Sequence, residues 1–424
     1  MLRLAGPVAL ARLGTMGMGV TDTIVVGQLA PEELSFLALG WAPTGVLLVT
    51  GIGLLLGVQV LSARALGAGK PQGAGTAWRH GMVLALGFGL LCTLSLWLTT
   101  EPLLLLAGIE PQLAEGAAAV ANVLALSLPL HFGYMACAYF AEAIHRPGAG
   151  TTVIWLANGV NIAVNLALVG SLGALGSAWA TVTARAFMMI ALGLWVWTSA
   201  AGRTHGVRSQ GGPGFGVAAI LSVGAASALS QLAEAGAFSA MTVIAGRLGA
   251  QAVAAYQVLL NALALVFMAA LGVAAATAVL TAQASGRADY EEVRSVGWTG
   301  LVINSLVMIV AVAAFVLFAN PMARAFTSDP ALASMIASLL PLVALVLIPD
   351  GAQVVAAHAL RGRGDNWFPT ASHILSYVVV MPPLAWWLAA RCDHGVAGLI
   401  EAIIVGSLVS VAILMVRMRY TERV

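Results

Sequence analysis

Apolar residues run along the chain in blocks long enough to cross a bilayer, and the blocks recur roughly every 35 residues with short polar stretches between them. The pattern predicts about twelve membrane-spanning helices, at 4–28, 36–63, 81–107, 117–144, 151–170, 175–200, 215–246, 252–282, 296–319, 332–360, 369–390 and 395–417. The fold class is therefore all-α integral membrane protein, and no stretch remains for a soluble domain.

Composition agrees. Of the 424 residues, 60% are AVILMFWYC and 8% are charged, with a mean hydropathy of +0.96, whereas a water-soluble globule carries about 25% charged residues. With no soluble domain and no G-x-x-x-x-G-K-[ST] loop, transporters that carry their own nucleotide-binding unit are excluded. Cys92, Cys137 and Cys392 are isolated from one another and read as packing residues, so neither a disulfide framework nor a zinc site is predicted. No cofactor is expected. The net charge of +2 says little about partners; no nucleic-acid partner is expected, and the lipid bilayer is the expected surroundings. The first apolar block continues into GVTDTIVVG without an A-x-A-like cleavage site, so it is read as a span rather than a signal peptide. With both termini cytoplasmic, about 14 of the 19 Lys and Arg fall inside and only Arg247, Arg324 and Arg391 outside, which orients the chain.

The most polar internal stretch, AGRTHGVRSQGGPGFG at 201–216, reads as a flexible linker. It divides the chain into a six-helix lobe at 1–200, a cytoplasmic linker at 201–214 and a second six-helix lobe at 215–424. Sliding one half over the other by 219 residues places Gly27 on Gly246, Gly53 on Gly272 and Gly67 on Gly286; a shift of 222 places Pro147 on Pro369 and Gly173 on Gly395. Such residues mark backbone positions with special geometry. An even number of spans separates the copies, so they are parallel repeats, expected to face each other across a central cleft.

Among the acids within spans, where a carboxylate costs about 2.5–3.5 kcal/mol, three stand out: Asp22 in span 1, Glu234 in span 7 and Asp350 in span 10. Each either caps a helix break, pairs with a nearby Arg, or lines a polar cavity and binds a cation or proton. In span 5, Asn161 and Asn165 lie one turn apart on one face, and amide oxygens beside Asp22 suit a sodium ion or a cage around a protonated acid. In span 8, Gln257 and Asn261 are expected to face Glu234 and Asp350. Arg12, about 15 Å along the helix from Asp22, is too far for direct pairing. Glu142 and Arg146 have the spacing of an i, i+4 ion pair, and Arg185, His131, His358, His373 and Glu401 read as helix–helix contacts. Trp155, Trp179, Trp386 and Trp387 read as interface anchors or packing residues.

The opening AGPVALARLGTMGMGVTDTIVVGQL, the segment GIGLLLGVQVLSARALGAG, NIAVN, GALGSAWAT, the acid of span 7 and DGAQVVAAHALRGRGD followed by Pro369 together resemble the multidrug and toxic compound extrusion (MATE) transporters, NorM-like branch, over almost the whole chain. The resemblance implies two six-helix lobes around a V-shaped cleft, a monomer in the bacterial inner membrane, and no enzymatic activity. It implies export of organic, usually cationic, compounds in exchange for sodium ions or protons by alternating access. Carried over residue by residue, it makes Asp22, Asn161 and Asn165 one coupling site and Glu234 and Asp350, with Gln257 less certainly, another; Na+ is expected at Glu234, Asp350 or Asp22. Two departures stand out. Span 1 begins almost at Met1, without the family's cytoplasmic lead-in, and Arg12 stands where the family more often has a neutral polar residue. A lipid-linked precursor flippase of the same superfold is the alternative; it predicts a basic cleft, and intramembrane cations are few here. A membrane enzyme would need a clustered catalytic set that the sequence lacks.

Overall fold

The computed structural model describes residues 1–209, 215–327 and 329–420. Its long helices are α1 (Leu2–Leu29), α2 (Leu34–Gly67), α3 (Pro71–Leu106), α4 (Pro111–Ala143) and α5 (Pro147–Thr198), and, after a short α6 (Ala200–Thr204), α7 (Val217–Leu248), α8 (Ala250–Gly286) and α9 (Tyr290–Leu317). A short α10 (Ala319–Phe326) precedes α11 (Pro330–Gly362), α12 (Trp367–His373), α13 (Met381–Trp386) and α14 (Gly395–Tyr420). Ten helical stretches among the described residues are long and apolar enough to span a membrane. Two further crossings complete the predicted twelve. At 52 residues α5 would be about 78 Å long if straight, and Gly173 breaks it into two spans. The less apolar α1 carries Arg12 and Asp22.

Gly173 adopts φ 55°, ψ −135°, which a side chain would forbid, and a Cβ there would collide with the Glu33 carboxylate. That carboxylate accepts a hydrogen bond from Ala174 N–H at 2.8 Å, so Glu33 caps the helix that restarts after the break. Gly395, its counterpart in the repeat, also has positive φ, 56°, and opens α14. The stretch between α12 and α14 is wound less tightly: Ile374–Val380 and Trp387–Arg391 are π-helical, flanking a turn where Pro382 and Pro383 supply no N–H.

Helix boundaries moved most at span 3, which begins at Pro71 rather than residue 81, because the proline opens the helix at its first turn and the polar residues Arg79 and His80 lie within it. The linker expected at 201–214 begins inside the short helix Ala200–Thr204, which Ser199 caps by accepting from Gly202 N–H at 3.0 Å. Residues 210–214 lie outside the described residues, as does Arg423 of the inside-charge set.

Packing follows membrane rather than aqueous logic. On α3, Val83, Leu90, Leu91, Leu94 and Leu98 are exposed at helical spacing, while Gly81, Ala85, Gly89 and Cys92 face inward. The apolar side thus meets lipid, and small residues let helices approach. At Gly89 an added Cβ would fall on the backbone of Pro129 in α4. Gly89→Ala is expected to cost about 1–3 kcal/mol through overpacking, read as a lowered thermal midpoint in detergent; an unchanged midpoint would mean the α3–α4 contact yields freely.

The described residues divide into two compact units. One comprises Leu10–Ala228; the other combines Met1–Ala9 with Leu229–Val424. In the second, Gly272 of α8 admits the first turns of α1, since a Cβ there would lie 2.5 Å from Ala5 O.

Candidate functional site

In the unit Leu10–Ala228, Asp22 is 1% exposed and sits in a cage of neutral donors. Asn161 and Asn165 each donate through Nδ2 to Asp22 Oδ1, at 2.9 and 2.8 Å, and Thr181 Oγ1 donates to Oδ2 at 2.5 Å. The asparagines meet the acid because they are four residues apart on one face of the first half of α5, while Thr181 arrives from the half after Gly173. Asn161 Oδ1 and Asn165 Oδ1 are buried without a protein partner, so each amide retains an acceptor next to the carboxylate. The third asparagine, Asn158, serves structure: its Nδ2 donates to Gly14 O at 2.9 Å and Ile154 O at 2.8 Å. Arg185, one turn beyond Thr181, is within electrostatic reach of Asp22 but forms no ion pair with it among the described residues; its Nη1 donates to Ser127 Oγ at 2.7 Å, and its guanidinium stacks 5.3 Å from the Trp41 ring.

The second cluster lies in the other unit. Asp350 is 3% exposed, and its Oδ1 accepts from Tyr377 Oη at 3.0 Å, Ser407 Oγ at 3.2 Å and, weakly, Gln353 Nε2 at 3.5 Å. Glu234, half-buried on α7, is near enough to interact electrostatically with both Asp350 and Arg361. Arg361 is buried and donates to Ser230 Oγ at 2.7 Å, which passes the chain on to Thr370 at 3.1 Å. Among the described residues no group of three or more His, Cys, Asp or Glu is arranged to hold a metal ion. A cation at either acid would draw on neutral oxygens beside the carboxylate.

The structure thus brings Asp22 together with Asn161 and Asn165, and places Glu234 near Asp350. Gln257 is exposed and donates to Thr242 Oγ1 at 3.3 Å, and Asn261 is exposed as well; neither makes a hydrogen bond to Glu234 or Asp350 among the described residues. The i, i+4 pair expected of Glu142 and Arg146 gives way to a longer-range one. Glu142 is buried, accepts from Gln59 Nε2, and pairs with Arg12 at 3.5 Å, because the helix ends at Ala143 and Arg146 lies beyond it. The histidines divide. His358 Nδ1 bonds Val354 O at 2.8 Å and Glu401 pairs with His394 at 2.8 Å, whereas both ring nitrogens of buried His131 lack a protein partner. Thr181, Tyr377, Ser407 and Arg361 were not singled out as ligands by sequence. The one available signal was polar residues four apart in apolar blocks, as Thr181 and Arg185 are.

Comparison with known proteins agrees with this architecture. The family model described as MatE matches twice, at residues 7–167 and 226–387, with starts separated by the same 219 residues as the glycine repeat. A probable multidrug resistance protein NorM of Caulobacter vibrioides is 41% identical over 100% of this chain and 91% of its own length. The multidrug resistance protein PmpM of Pseudomonas aeruginosa is 28% identical, covering 100% of this chain and 91% of its own. A solved outward-facing MATE transporter of the MOP superfamily superposes with a TM-score of 0.92 at 21% identity over 100% of this chain and 95% of its own, and a eukaryotic MATE transporter with a TM-score of 0.90 at 21% identity over 100% and 96%. With twelve helical crossings in two repeated lobes, and with sequence similarity along its full length, this chain belongs to the MatE family of multidrug and toxic compound extrusion transporters, in its NorM-like branch, and is not an enzyme.

Proposed function

We propose that this protein is a secondary-active antiporter that exports organic, chiefly cationic, drugs or toxins in exchange for protons or sodium ions, from a bacterial inner membrane with both termini cytoplasmic and as a monomer. One observation carries the reading: each repeated lobe buries a carboxylate in a cage of neutral hydrogen-bond donors, without a direct ion pair to an arginine among the described residues. An acid held purely for packing would be closed by a fixed counter-charge. An acid held by neutral donors keeps room for an exchangeable cation. The names of the bacterial relatives support the efflux direction, and the excess of inside Lys and Arg supports the orientation.

Exchange follows if the coupling ion and the drug prefer different conformations, since a ligand with equal affinity for both shifts neither. At Asp22 the donors face the carboxylate, and a proton on Oδ2 needs only the Thr181 hydroxyl to turn from donor to acceptor. Sodium would require the amide oxygens of Asn161 and Asn165 to swing toward it, the same oxygens that lack partners. The test is purified protein in proteoliposomes, with sodium and pH gradients imposed separately and movement of the fluorescent cation rhodamine 123 followed. Movement driven by one or both gradients is expected. A dye distribution indifferent to either gradient would end the antiport reading.

A further inference from the structure

The Asp22 cage is closed by two helical segments joined at a kink. Asn161 and Asn165 come from before Gly173 and Thr181 from after it. Glycine is the residue least able to hold a backbone angle by itself, so the register of the second segment has to be set by contacts elsewhere. Beyond the kink, Ala174, Ala178 and Thr181 are buried and share one face of α5, at i, i+4 and i+7. On α1 and its end, Asp22, Val26 and Ala30 are buried and share one face at i, i+4 and i+8. The two faces meet: Val26, Ala30, Ala174 and Ala178 belong to one apolar cluster, and Thr181 Oγ1 donates to Asp22 Oδ2.

Apolar contact between such side chains is non-directional and tolerates sliding. The polar contacts at the two ends of the paired faces do not. One end is Thr181 on Asp22; the other is Glu33. The Glu33 N–H donates to Ala30 O at 3.0 Å, which ties its backbone to the end of α1, while its carboxylate accepts from Ala174 N–H at 2.8 Å. A carboxylate on the first N–H groups of a helix makes a charge-assisted bond. Ala174 to Thr181 is about 10.5 Å of helix and Asp22 to Ala30 about 12 Å, so the two polar contacts stand at matching heights on both elements. A slip of one residue would move Thr181 about 1.5 Å along the axis and about 100° around it, off the face that meets Asp22.

We propose that Glu33 is a positioning residue for the Asp22 site: its carboxylate, capping the second segment of α5, sets the register of that segment against α1 and so holds the Thr181 hydroxyl on Asp22. The inference rests on the antiport reading for its consequence in transport, whereas the register is a property of the fold. Thr181 can donate to the carboxylate and can also present its oxygen to an incoming proton or cation, so misplacing it slows exchange at Asp22.

The test reads register and transport separately. Nitroxides are attached at Leu29→Cys, beside the cap, and at Ile190→Cys, about 24 Å of helix beyond Ala174; both positions are exposed, and Cys392→Ser removes the exposed native cysteine. Their separation is measured by double electron–electron resonance on the full-length protein in nanodiscs with no gradient. Glu33→Ala is expected to displace or broaden it by about 1.5 Å or more, one residue's rise. Thr181→Ala should leave it unchanged, as should Glu33→Gln, which keeps an acceptor at the same reach. In proteoliposomes, Glu33→Ala is expected to slow gradient-driven rhodamine 123 transport about tenfold, to the rate of Thr181→Ala, and Glu33→Gln to restore most of it. The double variant should be no slower than Thr181→Ala alone, whereas two independent losses would multiply to about a hundredfold. Glu33→Asp, one methylene shorter, takes the place of Glu33→Ala, with the same expected outcomes, if the latter does not fold. An unmoved separation in Glu33→Ala, a Gln variant as impaired as the Ala variant, or multiplying losses overturns the proposal and leaves antiport by the unsubstituted protein standing. If no gradient moves the dye through the unsubstituted protein, the antiport reading fails, and the spin-label separation alone decides whether Glu33 sets the register.

Discussion

Asp22→Asn is expected to reduce gradient-driven transport in proteoliposomes to the level of protein-free vesicles while the protein still elutes as a folded species. The substitution changes almost no volume, so packing is preserved, but it removes the charge that a proton or sodium ion neutralises. It also places an amide NH2 where an oxygen accepted before, so that the Thr181 hydroxyl must turn from donor to acceptor. Without a titrating or cation-binding group the lobe has no differential affinity for the ion, and no gradient can bias its conformations. Thr181→Ala is the informative control. It removes one donor at 2.5 Å but keeps the acid, so transport should fall without vanishing. Full activity of the Asp22→Asn protein would remove Asp22 from the coupling machinery.

The largest loss of stability is expected from Glu142→Ala, at about 3–5 kcal/mol. Glu142 and Arg12 form a buried pair at 3.5 Å, with side-chain exposures of 5% and 17%, and the guanidinium also lies 5.4 Å from the Tyr139 ring centroid. Deleting the carboxylate strands Arg12 and Gln59 together in an apolar setting. Removing both charges with shape kept, as in Arg12→Met with Glu142→Leu, should cost less than the single deletion, because the desolvation burden goes with them. A double-mutant cycle on thermal midpoints in detergent measures the coupling. Strict additivity would show that the two residues stabilise the fold independently.

That pair also marks where reading along the chain stops being informative. The i, i+4 rule selected Arg146 for Glu142 because only neighbours on one helix are visible in sequence. Arg12, more than a hundred residues away, is brought in by the packing of α1 near α4. Likewise Gln257 had the right chemistry and sat in the right span, but its position on α8 leaves it exposed and bonded to Thr242. Asn161 and Asn165 were legible because their spacing puts both on one face whatever that face meets. Thr181 was not, since its approach to Asp22 depends on the break at Gly173.

By itself the sequence determined that this is a twelve-span, duplicated membrane protein with acids and amides embedded in apolar helices, because hydropathy, helical period and the geometry demanded by glycine and proline are local properties. Which donors close on each carboxylate and which arginine answers Glu142 were decided by tertiary structure alone. Those outcomes depend on which helix faces come within about 3 Å of each other, and helices far apart in sequence carry no mark of that distance.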